Sequence, residues 1–125
     1  MSFTITNTTK EKLPDHPYEK MAEEVLGKKY DLSLTIIDTM RITNLNSIYR
    51  HKNMPTDILS FPLNENAGEI FLCLSEAEKE AVKFKRPNDN FIAFLFIHGL
   101  MHLKGFDHSS TMESNEQKIR QEFHI

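Results

Sequence analysis

Three of the chain's six histidines, His98, His102 and His108, lie within one short segment that also contains Gly105. Four residues turn an α-helix by about 400°, so His98 and His102 project from the same face, one turn apart. Gly105 can end that helix in the left-handed conformation, which lets His108 approach from a loop. Three neutral imidazoles beside an open coordination position are typical of a catalytic zinc site. Buried core histidines are the alternative, but the repeated spacing favours one zinc ion bound by His98, His102 and His108.

The same spacing, H-x-x-x-H-x-x-G-x-x-H, is the zinc-ligand pattern of metzincin proteases. Those enzymes use a glutamate directly after the first histidine as general base, and this chain has Gly99 there. A zinc metallopeptidase therefore remains an alternative, although the chain lacks the glutamate that serves as general base in those enzymes. A structural zinc site would more often be closed by cysteine, and the only cysteine, Cys73, is distant in the sequence.

The histidine segment, HGLMHLKGFDH, resembles the H-G-x-L-H-L-x-G-Y-D-H motif of the bacterial YbeY family, with Met101 and Phe106 in place of Leu and Tyr. Two further segments, LNSIYR at 45–50 and TDILSFP at 56–62, resemble the family's L-N-x-x-Y-R and T-D-V-L-S-F-P motifs. The resemblance implies a zinc-dependent, single-strand-specific endoribonuclease that acts in ribosomal RNA processing and ribosome assembly. It also implies ribosomal RNA and pre-ribosomal particles as partners.

By this resemblance Arg50 is the catalytic residue, because the family's corresponding arginine faces the metal cleft. A guanidinium can bind phosphate through two hydrogen bonds and offset charge that develops during transfer, although it is a poor general base. Asp107 either orients a ligand imidazole or is a turn residue. A noncatalytic ribosome-assembly module, in which zinc only joins the helix to the loop, is the second alternative.

Length and composition limit the remaining possibilities. The 125 residues, 39% of them hydrophobic, fit one domain, residues 1–125, with a real core. The net charge of −3 gives no general attraction to nucleic acid, so RNA binding would need a local basic patch. A single cysteine and the absence of a signal-peptide pattern predict a cytoplasmic protein. The longest apolar run, 91–97, is far below the roughly 20 residues of a membrane span. The oligomeric state stays open.

Hydrophobic periodicity and turn residues predict nine elements. Strands are expected at 3–6, 32–37, 58–61 and 69–74, and helices at 15–26, 38–49, 75–84, 88–105 and 110–123. Pro62 should end the third strand, Tyr49 should lie on the buried face of the second helix, and Ser75 should cap the third helix. The pattern predicts an α+β fold: a mixed, mostly parallel four-stranded sheet packed on a buried central helix that carries the metal-binding histidines.

Overall fold

The computed structural model describes residues 1–105 and 110–125. The described residues form four strands and five helices, in the order β1 (Ser2–Asn7), α1 (Tyr18–Leu26), β2 (Asp31–Ile36), α2 (Thr39–Arg50), β3 (Ile58–Asn64), β4 (Ala67–Leu72), α3 (Leu74–Lys83), α4 (Asn88–Lys104) and α5 (Ser110–Glu122).

The strands form one mixed sheet in the order β1-β2-β4-β3. Strands β1, β2 and β4 run parallel, while β3 and β4 form an antiparallel hairpin. The prediction of a mixed, mostly parallel four-stranded sheet in an α+β fold is therefore confirmed. The sheet brings the end of β3 beside the helix that carries the histidines, because β3 packs against α4.

Helix α4 is the centre of the fold. Ten of its 17 residues are buried and cover most of its circumference, while the partly buried Phe94, His98 and His102 share the remaining face. A helix that is apolar on most sides must be enclosed. Helices α1, α3 and α5 pack against α4, and β3 contacts it from the sheet. The main core fills the space between this helix and the inner face of the sheet, which includes Leu34, Ile36, Ile70 and Leu72.

The opposite face of the sheet carries a smaller core under α2. Ile37, Ile42, Leu59 and Cys73 form its buried centre. Helix α2 begins where the Asp38 side chain accepts a hydrogen bond from the backbone N–H of Arg41 at 2.8 Å, a normal N-cap. This helix leads the chain from the sheet to the cleft described below.

Three local predictions were wrong. Pro62 does not end β3, because among the described strands β3 lies at the sheet edge and pairs with β4 alone, and the missing N–H of proline is harmless there. Ser75 does not cap α3, which begins at Leu74 with Cys73 at its N-cap; its hydroxyl instead lies 3.1 Å from that of Thr39. Tyr49 is exposed, and Asn46 takes the buried position on α2.

Within residues 1–105 and 110–125, no helix has both the length and the apolar character needed to span a membrane.

Candidate metal centre and its cleft

A cleft of about 1140 Å³ lies between the edge of the sheet and the helices. Five parts of the chain supply its walls: the end of α2, strand β3 with the residues before it, α3 with the residue after it, one face of α4, and the first turns of α5. The cleft contains His98, His102 and Arg50, which are the described members of the predicted site. The fold thus brings together residues that are about 50 positions apart in the sequence.

His98 and His102 lie on one face of α4 with their outer nitrogens together. The two Nε2 atoms are 3.1 Å apart, and the rings are nearly perpendicular at 83°. Two nitrogens about 2.05 Å from one tetrahedral zinc ion would be roughly 3.3 Å apart. The observed separation fits a shared ion, so the donor atoms of this pair suit zinc. Gly105 ends α4 with φ 101°, in the left-handed conformation that the sequence predicted.

Glu116 of α5 contacts Nδ1 of His98, the ring nitrogen opposite Nε2. Both of its carboxylate oxygens lie 3.3 Å from Nδ1 of His98, and its side chain is 8% exposed. A carboxylate at Nδ1 favours a proton on that nitrogen, so that Nε2 is the ring nitrogen that would bind a metal. Glu116 was missed in the sequence. Its spacing could have indicated that it is buried: Glu116 lies four residues after the buried Met112 and three before the half-buried Ile119, on the apolar face of α5.

The third predicted ligand, His108, lies outside the described residues, as does Asp107. Within residues 1–105 and 110–125, no three His, Cys, Asp or Glu side chains are placed to hold one ion. The zinc site of His98, His102 and His108 therefore stays a prediction. What the described residues supply is one half of such a site: a pair of converging imidazole nitrogens with a carboxylate behind one of them.

Gly99 occupies the place where a zinc protease would carry its glutamate, and it faces strands β3 and β4 of the sheet. A Cβ atom at this position would lie 2.9 Å from Cδ1 of Ile58 and 3.0 Å from Oγ of Ser60. The Ser60 hydroxyl also donates a hydrogen bond to the Gly99 carbonyl at 3.2 Å. A larger side chain here would have to displace the ends of the Ile58 and Ser60 side chains.

Arg50 is the last residue of α2 and projects into the cleft from an exposed position. It forms no ion pair with any described side chain. The loop that follows is held by the buried Asn46, whose side-chain amide donates to the Met54 carbonyl at 2.9 Å. His51 caps the helix with φ 57°, which turns the chain away from the helix axis. These contacts fix the base of the arginine and leave its guanidinium available.

The charge on the cleft wall is mostly negative. Its described lining contains the carboxylates of Asp57, Glu80, Glu113 and Glu116, against the single guanidinium of Arg50. Burial raises the pKa of the Asp57 carboxyl above its ordinary value, and the nearby Glu80 adds to that rise. A polyanion would be attracted to this surface only where a cation offsets the carboxylates.

Comparisons with known proteins agree with the motifs. The model of the family described as Endoribonuclease YbeY matches residues 4–124. A protein named Endoribonuclease YbeY from Buchnera aphidicola subsp. Acyrthosiphon pisum is 35% identical over 108 residues, which cover 78% of this chain and 70% of the relative. Another of that name, from Halalkalibacterium halodurans, is 34% identical over 121 residues and covers 84% and 74%. The solution structure of TM1509 from Thermotoga maritima matches with a TM-score of 0.66 and 26% identity, over 99% of this chain and 92% of that one.

Proposed function

Because the chain belongs to the YbeY family of endoribonucleases, we propose that it is a zinc-dependent enzyme that cuts single-stranded ribosomal RNA in the cytoplasm. Its substrates would be ribosomal RNA and pre-ribosomal particles, and residues 1–125 would form one metallohydrolase domain. The observation that carries the chemistry is the 3.1 Å approach of the two imidazole Nε2 atoms on the wall of a cleft that also contains Arg50.

In this proposal each residue has a separate task. His98, His102 and His108 hold the zinc ion, while Glu116 keeps the His98 ring in the orientation and protonation that metal binding needs. When bound, zinc supplies Lewis acidity, which polarises a phosphoryl oxygen and acidifies water. Arg50 binds the scissile phosphate through two parallel N–H donors and offsets the negative charge that builds up during cleavage.

The local charge explains why both cations would be needed. Asp57, Glu80 and Glu113 place negative charge on the walls that an RNA backbone must approach. A divalent ion at the histidines and the guanidinium of Arg50 together offset that charge at the point where a phosphate must be held. The negative net charge of the chain is therefore compatible with an RNA substrate if binding is confined to this cleft.

A metallopeptidase is the competing function, since its ligand spacing is the same. Peptide cleavage needs a group that takes a proton from water and passes it to the leaving amine, and glutamate serves this purpose in zinc proteases of this spacing. Gly99 has no such group and lies against Ile58 and Ser60. Phosphodiester cleavage depends more on stabilising the negative charge on the phosphate oxygens, which suits the residues present.

The test compares three proteins on two substrates. Wild type, His98→Ala and His124→Ala are incubated with labelled single-stranded RNA and with casein, and the zinc content of each preparation is measured. His124 is exposed and does not line the cleft, so its substitution controls for the loss of a histidine and for contaminating nuclease. We expect RNA cleavage and bound zinc in wild type and His124→Ala, and neither in His98→Ala. Zinc-dependent casein cleavage without RNA cleavage would favour the peptidase, and cleavage of neither substrate would favour the assembly module.

A further inference from the structure

We propose that the exposed ring of Phe84 is a stacking platform for one unpaired base of the RNA that lies in the cleft. The inference rests on the proposed function, because it adds a base-binding subsite to the same cleft. Phe84 follows α3 directly and lines the cleft wall, yet it is 59% exposed. A large aromatic ring left open to water inside a substrate cleft is a ready contact for a planar, apolar ligand face.

Phe84 is the outer member of a stack of three phenylalanine rings. Its centroid is 5.5 Å from that of Phe91, with 24° between the ring planes. The centroid of Phe91 is in turn 5.7 Å from that of Phe94, with 15° between the planes. Near-parallel rings at this spacing form the offset stack that aromatic groups favour. Because Phe91 is 1% exposed, the core anchors the stack, and a base can extend it on the exposed side of Phe84.

The turn after α3 fixes the position of Phe84 before any ligand binds. The backbone N–H of Phe84 donates to the Glu80 carbonyl, and that of Arg86 donates to the Ala81 carbonyl, both at 3.1 Å. Lys85 between them has φ 55°, the left-handed conformation of a helix-ending turn. A ring that is already positioned loses little conformational freedom when a base stacks on it, so less of the interaction free energy is lost to ordering.

The stack and the histidine pair line the same cleft. Phe91 precedes His98 by seven residues on α4, so the two side chains lie on one face, two helical turns apart. Two turns span about 10.5 Å, which corresponds to roughly three stacked nucleotides at about 3.4 Å each. A base on Phe84 would thus belong to a nucleotide a few positions from the phosphate near the histidines.

Base stacking on Phe84 would help RNA bind in spite of the negative charge of the cleft. Coulombic attraction supplies most of the affinity in many nucleic-acid sites, but here Asp57, Glu80 and Glu113 oppose it. Base stacking is independent of charge and tolerates any sequence, because every base has an aromatic face. It also requires an unpaired base, so the platform would favour single strands over duplex. A second protein molecule would also cover an exposed ring, but the place of Phe84 within the cleft favours a component of the substrate.

The experiment uses the full chain and a short single-stranded 2′-O-methyl oligoribonucleotide, in which the hydroxyl next to each phosphate is blocked. Binding is measured for wild type, Phe84→Ala, Phe84→Leu and Phe84→Trp. Val82→Ala is the matched control, since Val82 is an exposed apolar residue at the same end of α3 that does not line the cleft. The chain contains no tryptophan, so Phe84→Trp places a single fluorescent indole at the proposed contact.

We expect affinity to fall by roughly 5- to 100-fold in Phe84→Ala and Phe84→Leu, the range for loss of one base–aromatic stack. Phe84→Trp should bind at least as tightly as wild type, with its emission quenched by the oligonucleotide, and Val82→Ala should bind as wild type does. Equal affinity of Phe84→Leu and wild type, or indole emission that does not change at saturation, would overturn the platform. Failure of the wild type to bind the oligonucleotide would also overturn it. So would a Phe84 variant whose sedimentation changes while its affinity for the oligonucleotide does not, because Phe84 would then contact a second protein molecule. RNA cleavage that depends on His98 can persist in each of those cases, so the subsite and the proposed function fail separately.

Discussion

Glu116→Gln tests how the metal centre is built. The substitution keeps the size and shape of the side chain and removes its negative charge. In the structure both carboxylate oxygens lie 3.3 Å from Nδ1 of His98, within a nearly enclosed environment. The carboxylate should hold the proton on Nδ1 and strengthen Nε2 as a ligand. A neutral amide oxygen does this less well, so zinc should bind more weakly although its ligands are unchanged.

The distances set the expected size of the effect. Replacement of a group that orients a ligand histidine usually reduces metal affinity by about 10- to 100-fold. A separation of 3.3 Å is slightly longer than a strong N–H···O hydrogen bond, which is about 2.7–3.2 Å. We therefore expect the lower end of the range, about tenfold or about 1.4 kcal/mol. Glu113→Gln is the matched control, because it makes the same charge change on α5 in the same cleft, at an exposed position one turn away from Glu116.

The assay is competition for zinc between each protein and a chromophoric chelator at one fixed pH, since protons compete for the imidazoles. Unfolding of the metal-free proteins in denaturant is measured in parallel, so that a general loss of stability is not mistaken for weaker binding. If Glu113→Gln lowers the affinity as much as Glu116→Gln does, the effect is long-range charge and not orientation of His98. Unchanged affinity in Glu116→Gln would refute the role assigned to this carboxylate.

Three further predictions concern the cleft and the helix–sheet contact. Arg50→Ala should keep the fold and the zinc but lower kcat/KM for RNA by roughly 10- to 100-fold, the value of hydrogen bonds to a charged group. Arg50→Lys should restore little of this activity, because lysine cannot form the two parallel hydrogen bonds of arginine. Wild-type kinetics for Arg50→Ala would show that Arg50 is only a surface residue. Burial raises the pKa of Asp57 above 3.8, so the folded chain holds a proton that the unfolded chain releases, and the free energy of unfolding should fall as pH rises through that window. Asp57→Asn should flatten this decline in a pH series of denaturant titrations, and an unaltered slope would contradict it. Gly99→Ala adds a methyl group that crowds Ile58 and Ser60; we expect this to lower the free energy of unfolding by about 1–3 kcal/mol, against about 1 kcal/mol gained in helix propensity. In an Ile58→Val background, which removes the nearest atom, this loss should be smaller by about 1 kcal/mol. Strict additivity of the two changes would show that the contact is not tight.

The sequence alone determined the features that depend on local geometry. A four-residue step on a helix fixes the angle between two side chains whatever surrounds them, so the joint projection of His98 and His102 followed from their numbers. Gly105 as the left-handed end of that helix was equally local. The apolar run before the histidines required burial on most sides, which placed α4 at the centre of the fold. The alternation of buried and less buried residues along β2 is local in the same way.

Only the tertiary structure decided which distant groups meet. Periodicity shows that a position is buried but not what it contacts, so the spacing that put Glu116 on the apolar face of α5 did not reveal His98 as its partner. Asn46, and not Tyr49, is buried on α2, because its side-chain amide donates a hydrogen bond to the loop after the helix. No helical pattern encodes such a hydrogen bond. Pro62 was acceptable because β3 lies at the sheet edge, and strand order is set by long-range pairing. The close approach of α4 to the sheet at Gly99 and the stack beneath Phe84 likewise depend on how elements pack, and packing is a property of surfaces that meet only after the chain has folded.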